Sequence, residues 1–426
     1  MRFFADLHIH SRYSIATSSD MLPVEIWRWA QIKGIKLVGT GDFTHPLWFR
    51  ELTRVLEPVG NGTFRLRENF KGDNVPLSCV SDTFFMLSSE ISCIYRKANK
   101  TRKVHCLVYV PDFESARRIG SVLSRIGKVN SDGRPILGLD AKELLRIAVN
   151  ECPSALFIPA HVWTPHFSVF GGAYGFDSLE ECFEELTPHI YAIETGLSSN
   201  PVMNRQISAL DHLALVSNSD AHSTSRLGRE ATIFECDVSY DGIASAITSG
   251  EGLAGTIEFF PEEGKYHYDG HRSCRIRLSP EDSTGESRIC PVCGKTVTAG
   301  VLNRIKQLSD RKADAPYPSW APPFHSLIAL DTIIGEVLDT GRGSKKVNTL
   351  YRSMIEELGN EFFILLEASP ADIESVASAA VREAISRVRL GHVHISPGFD
   401  GQYGSIRIFT DEERAQYRIK APAHKS

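Results

Sequence analysis

Asp6-Leu7-His8-Ile9-His10 closes a short apolar run with two histidines two residues apart. Side chains at i and i+2 leave the same face of a β-strand, so both imidazoles can chelate one cation. Further donor residues recur at similar places. Asp42 follows Leu37-Val38-Gly39-Thr40, Glu90 follows Phe84-Phe85-Met86-Leu87, and His161 follows Phe157-Ile158-Pro159. Asp220 and His222 follow Leu213-Ala214-Leu215-Val216, and His105 lies inside the run Val104 to Val110. Core packing avoids uncompensated charge, so this recurrence points to a shared metal cluster. Mixed imidazole and carboxylate donors suit Zn, Mn, Mg or Fe. Paired cations lower the pKa of a bridging water and stabilise phosphoryl oxygens, which makes phosphoester hydrolysis the natural reaction. Neither a Walker loop, a dinucleotide glycine fingerprint nor a Ser-His-Asp elbow competes, and Gly341-Arg342-Gly343-Ser344 lacks the required frame.

A second donor set lies downstream. His271-x-x-Cys274, then Cys290-Pro291-Val292-Cys293-Gly294 after fifteen residues, has the two-knuckle spacing of a structural zinc site. Three cysteines and one histidine complete a tetrahedron without an open position; His267 is within reach as an alternative to His271. Arg272, Arg275, Arg277, Arg288, Lys295, Arg304 and Lys306 surround the motif. They are placed either to line a phosphate backbone or to solvate a folding staple.

The elements that must carry these donors alternate between strand and helix. Arg2 to Ile9 reads as a strand, Leu22 to Lys33 as a helix with Pro23 near its start and Gly34 at its end, and Ile35 to Thr40 as a second strand. Later strands are expected at 83–88, 104–110, 155–159, 190–194, 213–217 and 231–235. Helices lie between most of them, one capped by Asp140 with Glu143 placed to reach back. The alternation predicts an α/β barrel-like domain whose strand C-termini face one cleft. From about Leu302 the chain is mainly helical, with amphipathic runs at 324–338, 348–358 and 372–389. Gly341 to Lys346 reads as a flexible basic connector, able to approach phosphates or simply solvated. His392-Val393-His394 repeats the opening spacing without carboxylates nearby and reads as an ordinary strand before the turn Pro397 to Gly401.

A chain of 426 residues with 42% hydrophobic side chains can bury a large core in two or three domains. No apolar run reaches the roughly 18 residues that span a bilayer, and a charged segment follows the start directly, so a cytoplasmic, nucleoid-associated protein without a membrane partner is expected. Nine cysteines, an odd number, fit reduced thiols and a metal site better than a disulfide framework. The net charge of −5 does not advertise nucleic-acid binding. The average conceals a basic stretch, Lys265 to Lys312, with ten Lys/Arg against five Asp/Glu. Bound cations would also cancel the donor carboxylates.

Taken in order, Asp6-Leu7-His8-Ile9-His10-Ser11, Gly41-Asp42-Phe43, Ser89-Glu90, His105, Ala160-His161 and Ser219-Asp220-Ala221-His222 resemble the motifs of the polymerase and histidinol phosphatase (PHP) family. The resemblance implies a distorted (β/α)7 barrel of metal-dependent phosphoesterases with two or three divalent metals. We assign residues 1–258 to it, 259–301 to the zinc-binding module and 302–426 to the mainly helical C-terminal domain. The resemblance further implies that His8, His10, Glu90 and Asp220 share one metal and carry catalysis. Glu90 then bridges to a second metal held by His105 and His161, and His222 belongs to a third. One position departs from the pattern. Many members read Thr-Asp-His where this chain has Gly41-Asp42-Phe43, with His45 two residues further on. Either Asp42 or His45 replaces the missing imidazole, or the site runs on two metals.

The barrel, zinc module and helical tail together are similar to DNA-repair endonucleases of that family. This implies DNA carrying deaminated bases (uracil, hypoxanthine, xanthine) or abasic sites as substrate, cut on the 5′ side by metal-activated water, with replication or repair proteins as further partners. The rival readings are a small-molecule phosphomonoesterase and a noncatalytic nucleic-acid-binding protein. After His161, Val162 to Gly175 is unusually aromatic for a loop at a barrel mouth. A flipped base needs an aromatic slot with a few hydrogen-bonding groups, so Trp163, Phe167 and Phe170 are candidate substrate-binding residues, with Ser198, Ser199 and Asn200. The same aromatics would equally serve as a lid packed on its own barrel.

Overall fold

The computed structural model describes residues 1–72, 74–282 and 289–419; Arg288, counted among the charges of the zinc motif, lies outside the described residues. Local signals set the first elements. Helix α1 (Pro23–Lys33) begins with proline and stops at Gly34, whose φ of 89° is the left-handed cap that glycine adopts without strain. Asp140 caps helix α2 (Ala141–Glu151) by accepting from the Lys142 N–H at 2.9 Å. Glu143 pairs with Arg146 instead of reaching back, so the expected capping box is half made.

The main sheet is mixed. Strand β1 (Arg2–Asp6) runs parallel to β2 (Ile35–Gly39), which runs parallel to β3 (Phe84–Lys97). Strand β4 (Lys100–Val110) returns antiparallel to β3, with Ser92 opposite His105, and β5 (Leu156–Pro159) is antiparallel to β4. Strands β6 (Ala192–Glu194) and β7 (Ala214–Val216) form a separate parallel pair. On the other side of β1 stand β8 (Ala231–Glu235) and β9 (Leu253–Glu258), each antiparallel to its neighbour, and β10 (Phe324–Ser326) adds parallel to β9. Strand β6 lies beside β5, and β7 beside β9. The short pair therefore stands between the two flanks of the sheet.

This corrects the expected row of strand C-termini. Ala98 and Asn99 both take left-handed φ, 50° and 60°, and close a two-residue hairpin. The hairpin carries β3 and β4 past the strand limits expected at 88 and 104, so Glu90 sits inside a strand rather than after its end, and His105 lies well within β4. Because β4 runs backwards, His105 still arrives beside Glu90.

The C-terminal region is helical but not detached. The helix expected at 324–338 begins as β10, where Phe324 to Ser326 pair with Thr256 to Glu258, and α3 (Leu330–Val337) takes only its second half. Helices α4 (Lys345–Leu358) and α5 (Glu361–Leu366) follow. The run expected at 372–389 is two helices, α6 (Pro370–Val376) and α7 (Ala379–Arg389), divided where Ser378 caps α7. Phe362 packs on Phe4 of β1 with ring centroids 4.4 Å apart. Glu361 meets Lys33 in a buried ion pair and also accepts from the Tyr351 hydroxyl at 2.7 Å and the Leu330 N–H at 3.0 Å. Such added hydrogen bonds are what make a buried pair tolerable. One apolar core runs from Ile35 and Phe85 to Ile333, Met354 and Ile385. Each such side chain buried contributes about 1.5–3 kcal/mol. His394 lies in an exposed two-stranded hairpin, as its sequence predicts. Among the described residues no helix is long and apolar enough to cross a membrane.

Candidate metal centre

His8 and His10 follow β1, Glu90 lies within β3, and Asp220 follows β7. One donor atom from each lies within 4.8 Å of the others. Nε2 of His10 is 3.2 Å from Glu90 Oε2 and 3.0 Å from Asp220 Oδ1, and Nε2 of His8 is 3.6 Å from the same two oxygens. His8 Nε2, His10 Nε2 and Asp220 Oδ1 are buried without a hydrogen-bond partner. Polar atoms orphaned together in this way fit a cation that all of them face. A second group comprises Glu90, His105 and His161. There Glu90 Oε1 is 2.7 Å from His105 Nδ1 and 3.0 Å from His161 Nε2. Glu90 thus offers one oxygen to each group.

An outer layer aims these donors. Nδ1–H of His8 donates to Glu194 at 3.0 Å, and Glu194 also accepts from the His161 N–H and from Asn218 Nδ2, each at 2.9 Å. Asp42 accepts from His10 Nδ1 at 3.2 Å, from the Ser11 N–H and hydroxyl at 2.6 Å, and from the Ser14 hydroxyl at 2.9 Å. Engaging Nδ1 leaves the Nε2 lone pair of each imidazole toward the cluster. Asp6 accepts from the N–H groups of Ser219 and Gly228, tying the strand that carries the histidines to the loop that carries Asp220. Burial pushes its carboxyl up to about 6 against those hydrogen bonds.

The electrostatics show a deficit of positive charge. Burial opposes protonation of His8 and His10. Even so, Glu194, Glu90 and Asp220 around the first, and Asp42, Asp220 and Glu90 around the second, push both imidazoles well above their ordinary range. His105 is pushed by burial down to about 4, which keeps it neutral as a ligand must be. Asp42, His161 and Asp220 hold left-handed φ of 50°, 29° and 47°. Backbone of this kind in non-glycine residues costs about 1–3 kcal/mol each and concentrates at functional sites.

Three further candidates lie outside these two groups. Asp42 belongs to neither donor group, because its oxygens are already committed to His10, Ser11 and Ser14. His45 is also elsewhere. It caps the helix Pro46–Val55, approaches the Asn130 carbonyl at 3.3 Å through Nε2 and stacks on Tyr13. His222 stays at the rim, its Nδ1 donating to the Asp220 carbonyl at 2.9 Å and its ring centroid 4.4 Å from that of His10. Phe43, where an imidazole was sought, packs in the core. Among the described residues the barrel donors therefore form two groups, not three. Sequence reasoning missed Glu194, although it closes the run Tyr191-Ala192-Ile193 much as the other donors close theirs. It also missed Arg134, whose Nη1 donates to Glu90 Oε2 at 3.1 Å from a loop that no periodicity marks.

His271, Cys274, Cys290 and Cys293 also converge, with donor atoms within 4.8 Å of one another. Burial raises the Cys290 thiol, but the amides of Cys293 and Val292 outweigh it and bring the group down to about 6. His267 is outside the group, buried and stacked on Tyr268. All nine cysteines are free thiols. Several surrounding cations are spent on the protein itself. Arg277 donates to Ser396 and Pro397, Arg304 to Phe170, Phe176 and Asp177, and Lys306 to Pro280.

The aromatic loop after His161 is mostly a packed lid. Trp163 is 1% exposed, donates from Nε1 to Asn204 at 2.8 Å and packs on Phe170, itself buried. Ser199 is buried on the Thr195 carbonyl, and Asn200 caps the turn Pro201–Asn204. These four residues are structural rather than slot-lining. Phe167 remains partly open, 4.7 Å from the His105 ring. Ser198 lines a different recess, a cleft of about 480 Å³ shared with Arg229, Phe259 and Tyr403. Arg229 connects that cleft to the metal centre by donating to the carbonyls of Ser219 and Asp220.

Residues 329–392 match the family described as the MJ0043 C-terminal domain. The chain is 33% identical over 252 residues to the uncharacterized protein MJ0043 of Methanocaldococcus jannaschii, a match covering 57% of this chain and 31% of that protein. It is 27% identical over 422 residues to the uncharacterized protein YqxK of Bacillus subtilis, covering 95% of this chain and 99% of that one. Among solved structures, it superposes on the lesion-specific endonuclease PfuEndoQ from Pyrococcus furiosus. The TM-score is 0.83 at 33% identity, over 99% of this chain and 98% of that chain. A structure of Endonuclease Q with a 27-mer duplex substrate bearing an abasic lesion at the active site matches at TM-score 0.81 and 34% identity, over 97% and 98% of the two chains.

Proposed function

The chain belongs to the endonuclease Q family, and on that premise we propose that it is a metal-dependent DNA repair endonuclease cutting 5′ of deaminated bases (uracil, hypoxanthine, xanthine) and of abasic sites. The observation that carries this reading is the pair of donor groups joined through Glu90, in a chain that superposes end to end on a lesion-specific endonuclease. Strands β1 to β9 are read as a distorted (β/α)7 PHP barrel, with β6 and β7 completing the ring between β5 and β9. The four sulfur and imidazole donors at His271, Cys274, Cys290 and Cys293 are read as a closed structural zinc site.

Divalent cations held by His8, His10, Glu90 and Asp220, and by Glu90, His105 and His161, would acidify a bound water and withdraw charge from the phosphoryl oxygens. The protein's own part is to hold these donors without slack. Glu194 and Asp42 fix the imidazole planes, Asp6 fixes the loop of Asp220, and near-complete burial keeps bulk water off every donor except Asp220, whose side chain is 24% exposed. Asp220 therefore marks the side from which a phosphodiester enters. The cleft lined by Ser198, Arg229, Phe259 and Tyr403 is linked to the Asp220 loop through Arg229 and is large enough for an extruded nucleotide, which a damaged pair releases most cheaply.

The test is incubation of the purified protein with duplexes containing one uracil, hypoxanthine or abasic site, with Mg or Mn, and mapping of the cut. Incision 5′ of the lesion is expected, and D220A should abolish it while retaining DNA binding. Absence of incision at every lesion, or hydrolysis of small phosphomonoesters alone, would overturn the reading.

A further inference from the structure

The segment Asp132-Gly133-Arg134-Pro135 is clamped between the two limbs of the metal centre. Asp132 accepts from the Arg134 N–H at 3.1 Å and from the Ile15 N–H at 3.2 Å. The Gly133 N–H donates to the Tyr13 carbonyl, and the Pro135 carbonyl accepts from Ser92, two residues beyond Glu90; both bonds are 3.0 Å. Gly133 has no room for a side chain. A Cβ there would lie 2.2 Å from Asp42 Oδ2 and 2.3 Å from Ser14 Oγ, inside the network that orients His10. The backbone is thus held against both the histidine loop and β3, and it delivers one guanidinium to the cluster.

That guanidinium sits in an unusual place. Nη1 of Arg134 is 3.1 Å from Glu90 Oε2, the oxygen that also faces His8 and His10. Among the described residues its side chain donates to Glu90 alone, leaving further N–H groups of the planar fork uncommitted. A cation seated on Glu90 would compete for the same oxygen and repel the guanidinium. The partner that then suits a fixed, planar cation beside the centre is a phosphate oxyanion.

We propose that Arg134 is a catalytic residue that contacts a non-bridging oxygen of the scissile phosphodiester. This rests on the phosphodiesterase reading above. Among the described residues Arg134 is the arginine bonded to a donor carboxylate of the centre, and it supplies the fixed positive charge that meets the oxyanion as charge builds up on phosphorus.

The experiment compares wild type, R134K and R134A, each loaded with Mn, by three measurements. These are metal stoichiometry, affinity for inorganic phosphate as a product analogue, and single-turnover incision of an abasic-site duplex. The expected result is metal content equal to wild type, phosphate affinity lowered about tenfold, and incision slowed by about 10²–10³ in R134A. R134K should fall between, and added guanidinium ion should partly restore R134A. Incision by R134A within threefold of wild type, unchanged phosphate affinity, or loss of metal in proportion to activity would each overturn the assignment. If wild type cuts no lesion duplex, the endonuclease reading fails separately, and the phosphate measurement still decides Arg134.

Discussion

Glu194 holds Nδ1 of His8 at 3.0 Å, while Nε2 of the same ring stands 3.6 Å from Glu90 and from Asp220. A carboxylate can only accept, so the proton is placed on Nδ1 and the free lone pair on the side of the cluster. The same carboxylate accepts from the backbone N–H of His161, a donor of the other group. Glu194 therefore sets the orientation of both groups without belonging to either. E194Q, which can still bond to His8 but loses the charge, is expected to weaken metal affinity about 10–100-fold. Titration of metal-free protein by calorimetry checks it, and an unchanged affinity would show that the ring is held by packing alone.

The zinc motif offers a cleaner discrimination. H271A should lose one equivalent of zinc and destabilise the module, whereas H267A should retain the zinc, because His267 lies outside the donor group. Zinc content by mass spectrometry after dialysis is the readout. The opposite pattern would return the fourth position to His267.

What could be read ahead of the structure was which side chains converge. His8, His10, Glu90, His105, His161 and Asp220 all sit in or at the ends of apolar runs, and charge in such positions is conspicuous. What could not be read was how the chain brings them together. Nothing in Lys97-Ala98-Asn99-Lys100 announces a tight hairpin, since alanine seldom takes left-handed φ, so β3 was expected to end at 88, before Glu90, and β4 to begin only at 104. Asp42 was ambiguous for a related reason: a carboxylate that binds a metal and one that orients a metal-binding histidine occupy the same place in a sequence. Only its four hydrogen bonds separate the two. Arg134 lay in a loop whose position depends on contacts with residues 13, 15 and 92, which no local pattern encodes.

Trp163 and Phe167, four residues apart in one loop, should respond differently to truncation. Trp163 is a buried packing residue, and W163A is expected to cost about 3–5 kcal/mol of stability, read by denaturant unfolding, with little change in lesion preference at a temperature where the variant is folded. Phe167 faces His105 from a partly open position and lies under the Lys103 ammonium at 5.2 Å. F167A should leave stability nearly intact. The measurement is the ratio of cleavage at a uracil duplex to that at an undamaged duplex. A shift of that ratio in W163A but not in F167A would reverse the assignment.

Glu258 closes β9 in a fully buried position, with no ion-pair partner among the described residues. Burial pushes its carboxyl up to about 8, partly offset by the hydroxyls of Thr256, Thr195 and Ser217, and Glu194 adds repulsion. Glu230, also buried, is raised in turn by Glu258. The sign of the effect follows from the shift. The folded state binds the proton more tightly than the unfolded chain, so the stabilisation is fully present below the unfolded value of about 4.5 and is lost as pH rises through 8. At about 1.4 kcal/mol per pH unit, the loss approaches several kcal/mol at most. E258Q keeps the neutral shape and removes the titration. Its melting temperature should match wild type near pH 5 and exceed it by several degrees at pH 9, with both proteins loaded with the same metal. Melting curves that run parallel from pH 5 to pH 9 would mean that Glu258 is ionised in the folded protein and compensated by its hydroxyl neighbours.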